Sequence, residues 1–139
     1  MNNTRLRKTL SIINLLGFFG MVIVNYLAVT LPLNSRTTGE LSDQYPNLFV
    51  PAGFTFSIWG VIYLLLAIFI IYQLVYAFRK TMQNSTFLEK IGILFFVSSL
   101  ANLGWVFAWH FELVSLSLFL MLILLGSLMT IYVKLQIGK

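Results

Sequence analysis

Apolar residues gather in four long runs, at about residues 10–31, 52–78, 91–111 and 113–133, separated by short polar stretches. Each run supplies the roughly 20 residues that an α-helix, rising about 1.5 Å per residue, needs to cross a hydrocarbon layer. The alternation of a barrel strand is absent, and open strands in lipid leave backbone groups unpaired, so the pattern predicts helices. The expected fold is all-α: a polytopic membrane helix bundle with four transmembrane helices, forming one domain over residues 1–139. The first run follows Arg5, Arg7 and Lys8, as the apolar part of a signal peptide would. It is longer than such a segment and no small-x-small cleavage site follows, so a retained helix is expected.

Composition strengthens this picture. The chain is 59% hydrophobic and 9% charged, against about 25% charged residues in a typical soluble domain. A globule of this length leaves too much of its area facing water to hide so much apolar surface, and lipid takes the remainder. With no cysteine, a disulfide, a thiolate zinc site and a cysteine nucleophile are all excluded.

The net charge of +5 does not form a basic stripe, so it argues for membrane topology and against a nucleic-acid partner. Arg5, Arg7, Lys8, Arg79, Lys80, Lys90, Lys134 and Lys139 fall on one side of the predicted spans, and only Arg36 on the other. The positive-inside rule then places both termini in the cytoplasm, with the 33–50 loop and the tight "WHFEL" turn outside. The loop "LNSRTTGELSDQYPNLFV" carries the turn residues Gly39, Pro46 and Asn47 and the apolar Tyr45, Leu48 and Phe49. It is long for a bundle connection, and two roles fit it: a lid over a cavity, or an interfacial segment resting on headgroups.

Catalytic groupings are missing. The acids Glu40, Asp43, Glu89 and Glu112 lie outside the spans, and the single histidine, His110, ends one of them. No nucleophile, base and orienting residue assemble from these, and His110 with Glu112 is expected to be a solvated turn, so no enzyme is expected. The helices are also expected to lack buried ionisable groups, which counts against an ion-coupled carrier.

What the spans do carry is uncharged polar and aromatic residues. Phe56, Trp59 and Tyr63 share one helix face, as do Asn102, Trp105 and Trp109. Indole and phenol offer flat surface with one hydrogen-bonding atom each, which suits a planar apolar ligand with polar edges. Trp109, beside His110, fits an interfacial belt. Trp59, Tyr63 and Trp105 either line a cavity or pack helix on helix. Asn25 and Asn102 are expected to face the bundle as interhelical glue, and Gly104 with Ala108 to let a helix approach closely, within the bundle or in a homodimer. "LVYAFR" and "LMTIYVK" match the loose sterol-recognition template, which any apolar helix ending in Tyr and a base will do.

The stretch "PAGFTFSIWGVIY", with Pro51 eight residues before Trp59 and Tyr63 four after it, resembles the second helix of the tryptophan-rich sensory protein family, TspO, also called the translocator or peripheral benzodiazepine receptor family. "ANLGWVFAW", pairing Asn102 with Trp105, resembles its third helix. The likeness covers about residues 10–135 and is nearest to a divergent bacterial branch. It implies a five-helix bundle, often dimeric, in a bacterial inner membrane. It also implies a cavity beneath the first outer loop that binds a hydrophobic small molecule, a porphyrin such as protoporphyrin IX, with no cofactor required. Pro51, Phe56, Trp59, Tyr63, Asn102 and Trp105 are the ligand-binding residues expected on this basis. Sensing, transport and light-driven porphyrin breakdown are the roles that the resemblance implies. The chain departs from the family where Gly53 and Ser57 replace a tryptophan and a proline, and where no fifth helix follows; a fragment of a longer protein is therefore expected.

Overall fold

The computed structural model describes residues 3–31, 33–44, 58–79 and 86–138. Among these the chain forms α1 (Asn3–Thr30), a 3-10 turn at Leu33–Ser35, α2 (Thr38–Asp43), α3 (Ile58–Phe78), α4 (Phe87–Ile91), α5 (Leu94–His110) and α6 (Val114–Leu135). No strand occurs among the described residues. Helix α5 lies between α1 and α6, and α3 packs against α1.

The outermost helix, α6, is the inverse of a helix in a soluble globule. Its buried residues are Ser117 and Ser127, while Leu118, Phe119, Leu122 and Met129 are exposed. The two hydroxyls bond back to the carbonyls of Val114 and Ile123, each at 2.8 Å, so they enter the packed face with their polarity spent locally. Small polar residues inside and large apolar residues outside is the pattern expected where the solvent is hydrocarbon. This is an integral membrane protein.

Among the described residues, three helices are long and apolar enough to cross a membrane: Thr4–Thr30, Ile58–Phe78 and Val114–Leu135. The third expected span, residues 91–111, is not one helix. Gly92 adopts φ 54°, ψ −132°, a conformation open essentially to glycine alone, and divides α4 from α5. The remaining apolar helix, Leu94–His110, has 17 residues, or about 25 Å at 1.5 Å per residue. In the second span the described helix starts at Ile58, and residues 51–57, with Pro51, Gly53 and Phe56, lie outside the described residues.

Helix α1 begins well before residue 10 because its basic residues find partners. Arg7, 8% exposed, pairs with Glu89 through Nε and lies 5.6 Å from the centre of the Tyr76 ring; Lys8 stands over Phe78. The spans were expected to lack buried ionisable groups, and Arg7 corrects that. Two turns further on, the fully buried Asn14 and Gln73 join α1 to α3 by a 2.9 Å hydrogen bond. Above them Phe18, Met21, Ile70, Ile91 and Phe95 form an apolar core.

Small residues set the helix spacing. A Cβ on Gly17 would stand 2.8 Å from Phe96 and 3.2 Å from Ser99, so α1 and α5 touch here almost backbone to side chain. Gly104 meets Leu120 in the same way at 3.3 Å, and Ala108 is buried, which places this small-residue pair inside the bundle, with Gly104 against α6. Gly17→Val is expected to cost about 1–3 kcal/mol through overpacking, read as a lower thermal midpoint in detergent. Gly126→Ala, where a Cβ meets nothing within 4 Å, is expected to hold or slightly raise that midpoint.

Candidate ligand-binding site

At the outer end of the bundle, α1, α3 and α5 part to leave a cavity of about 670 Å³, a size within the range of about 300–1,000 Å³ usual for small-molecule pockets. Val22, Asn25, Tyr26 and Val29 of α1 form one wall; Trp59, Gly60 and Tyr63 of α3 form another, and Trp105 of α5 closes the space between them. Thr37, Thr38 and Gly39, at the start of α2, complete the lining.

The aromatic residues form a column. Trp59 and Trp105 lie 6.4 Å apart, centre to centre, with planes 15° from parallel, and Trp105 and Trp109 repeat this at 6.4 Å and 16°. Tyr63 leans on Trp59 at 6.1 Å. All three tryptophans of the chain therefore share one stack, and Trp109, expected in an interfacial belt, is part of it. The spacing of four between Trp105 and Trp109, and between Trp59 and Tyr63, puts each pair on one helix face. The phenol oxygen of Tyr63 is buried without a hydrogen-bond partner among the described residues, a polar atom left over on a residue that lines an apolar chamber.

Asn102 does not line the cavity itself. It accepts a 2.8 Å hydrogen bond from Asn25 Nδ2, which also donates to the Met21 carbonyl at 2.8 Å. Asn25 lines the cavity and Asn102 holds it in place. Trp59, Tyr63 and Trp105 are thus brought together on the cavity, Asn102 stands behind it, and Pro51 and Phe56 fall outside the described residues.

The 33–44 part of the outer loop is more ordered than turn residues suggested. Gly39, read from sequence as a turn residue, lies within α2, whose capping box pairs the Thr37 side chain with the Glu40 N–H and the Glu40 carboxylate with the Thr37 N–H. The signal was present in the sequence as "TTGE", threonine followed three residues later by glutamate. Tyr45, Leu48 and Phe49 lie outside the described residues.

His110 fastens this segment to α5 and is not the solvated group expected. It is 1% exposed. Its Nδ1 lies 2.7 Å from the Val106 carbonyl, which can only accept, so Nδ1 carries the proton and Nε2 faces Thr38 Oγ1 at 3.5 Å. Asn34, in the left-handed conformation that asparagine tolerates, donates to the His110 carbonyl at 3.0 Å. Arg36 bridges Gln44 and Glu112. The α5–α6 corner itself is a Schellman turn: Leu113 N–H reaches the Ala108 carbonyl, Glu112 N–H the Trp109 carbonyl, and Glu112 takes φ 56°. No group of three His, Cys, Asp or Glu suited to a metal occurs among the described residues.

The Thr37 hydrogen bonds hold the Glu40 carboxyl below the usual carboxylate range. Because its folded value is depressed, the stabilisation of α2 is fully present above the ordinary carboxylate pKa and is lost as pH falls through the lowered value. Pepsin cleavage within α2 is therefore expected to accelerate in acid, compared with other sites on the chain, only as that group protonates. Glu40→Gln, which keeps an acceptor for the capping box, is expected to remove the step.

A family model described as TSPO-like protein matches residues 11–139. No curated protein and no solved structure matches the chain. The match runs through α1, the cavity-lining residues of α3 and α5, and α6, and the chain belongs to the TSPO-like protein family.

Proposed function

We propose that the protein is a membrane receptor that binds a flat, hydrophobic, porphyrin-like molecule in the cavity between α1, α3 and α5. The observation that carries this is the aromatic column on the cavity wall: Trp59 and Trp105, 15° from parallel, beside Tyr63. Flat rings gain most from broad, polarisable faces, and a few polar atoms at the rim select among ligands by their edges. Here those atoms are the Asn25 amide, the Thr38 hydroxyl and the Tyr63 hydroxyl, which has no partner among the described residues. Helix α2 serves as the lid, held by Thr38 at His110 and by the segment before it, where Asn34 bonds His110 and Arg36 bonds Glu112. The role proposed is binding without catalysis, in a bacterial inner membrane with both termini cytoplasmic, where positive charge concentrates at one end of the bundle.

Quenching of intrinsic fluorescence by protoporphyrin IX in detergent is expected to saturate for the wild type. Trp59→Leu removes one face of the column. Its affinity is expected to fall by the worth of an aromatic contact, about 0.5–1.5 kcal/mol, or roughly two- to twelvefold. Quenching that does not saturate, or an affinity unchanged in the variant, would discard the receptor role.

A further inference from the structure

Two of the nine glycines of the chain, Gly39 on α2 and Gly60 on α3, line the cavity, and no packing contact among the described residues requires either. A Cβ built at Gly39 or Gly60 meets nothing within 4 Å, unlike Gly17 and Gly104, where a neighbour already fills the space. Backbone conformation does not require them either. The glycines with positive φ among the described residues are Gly92 and Gly138, while Gly39 and Gly60 sit in helical turns, where alanine holds the backbone better. Among the described residues, each position thus gives up helix propensity and gains no contact in return. What both leave is open space, and both positions line the same chamber.

Their places make that volume useful. Gly60 follows Trp59 and precedes Tyr63 by three residues, so bare backbone lies next to the aromatic column. Gly39 belongs to the separate lining contributed by the start of α2, next to the hydroxyls of Thr37 and Thr38. A side chain added at either position would occupy open space at the lining of the chamber, where a broad rigid ligand needs room.

We infer that Gly39 and Gly60 are the specificity-determining residues of this site. They keep two parts of its lining bare so that it accepts a broad, rigid, planar hydrophobe of macrocyclic width, and substitution at either narrows the site to compact polycyclic rings. This rests on the receptor role proposed above and adds to it the breadth of ligand and the residues that set it.

The test uses the purified full chain in detergent and two planar probes of different width, protoporphyrin IX and 1-hydroxypyrene, each followed by saturable quenching of tryptophan emission. Gly60→Leu and Gly39→Leu are each expected to weaken protoporphyrin binding by about tenfold or more and to change 1-hydroxypyrene binding by less than about twofold. Gly60→Ala and Gly39→Ala, which add a single carbon and favour the helix, are expected to keep the wild-type thermal midpoint and weaken protoporphyrin binding by about two- to threefold. These alanine variants carry the test if a leucine variant does not fold.

Folded variants that bind protoporphyrin like the wild type would overturn the inference, as would variants that weaken both probes equally. Loss of a dimer with unchanged affinities would do the same, because Gly60 would then be an assembly contact. A wild type that saturates with 1-hydroxypyrene alone would overturn the breadth inferred here while leaving a receptor for smaller rings. A wild type that binds neither probe would overturn both this inference and the receptor role.

Discussion

A polar side chain inside hydrocarbon has no water to fall back on, and that constraint decides which face of each helix turns inward. Amides and hydroxyls must find partners within their own helix or across to the next, and in doing so they draw the helices together. Asn14 with Gln73 joins α1 to α3 low in the bundle, and Asn25 with Asn102 joins α1 to α5 high in it. Ser98 and Ser99 both bond to the Phe95 carbonyl and lie buried along α5. Apolar side chains then have a free choice between protein and lipid, and on α6 most of the large ones are exposed, while Ile131 and Leu135 pack on the core. The interior is consequently marked by polarity and smallness more than by hydrophobicity.

The cavity follows from where those ties are placed. Helix α3 is fixed to α1 along its inner half by Gln73 and Ile70, while its outer end carries Trp59, whose ring meets Trp105 of α5 instead. Large flat rings hold the outer ends of α3 and α5 in contact through side chains without bringing the backbones together, and the space beside them stays open. The outer segment completes the lining because α5 ends there in a turn whose His110 and Glu112 are both engaged by residues 34–38. Bundle, chamber and outer segment are thus joined through α5.

The helices and the aromatic face were legible in the sequence, because hydropathy over twenty residues and spacings of three and four depend on local chemistry alone. "ANLGWVFAW" set Asn102 and Trp105 on one face, and the fold keeps them there. The break at Gly92 was not legible, since glycine in an apolar run reads equally well as a packing residue, and only its φ of 54° distinguishes the two. Arg7 and His110 were placed by convention at the water boundary, and each lies buried because a partner distant in the chain, Glu89 for one and the 34–38 segment for the other, completes its bonding. Pairings across 70 or 80 residues leave no local trace. The α2 helix is the opposite case: its capping box stood in four consecutive letters, and the loop around it drew attention away from it.

The near-parallel alignment of Trp59, Trp105 and Trp109 has an optical consequence. With ring centres 6.4 Å apart, the indoles are near enough for excitation absorbed by one of them to pass to another before it is emitted. The tryptophan emission of the chain therefore comes from one group, two of whose rings line the chamber, and its colour and yield report on the surroundings of that wall.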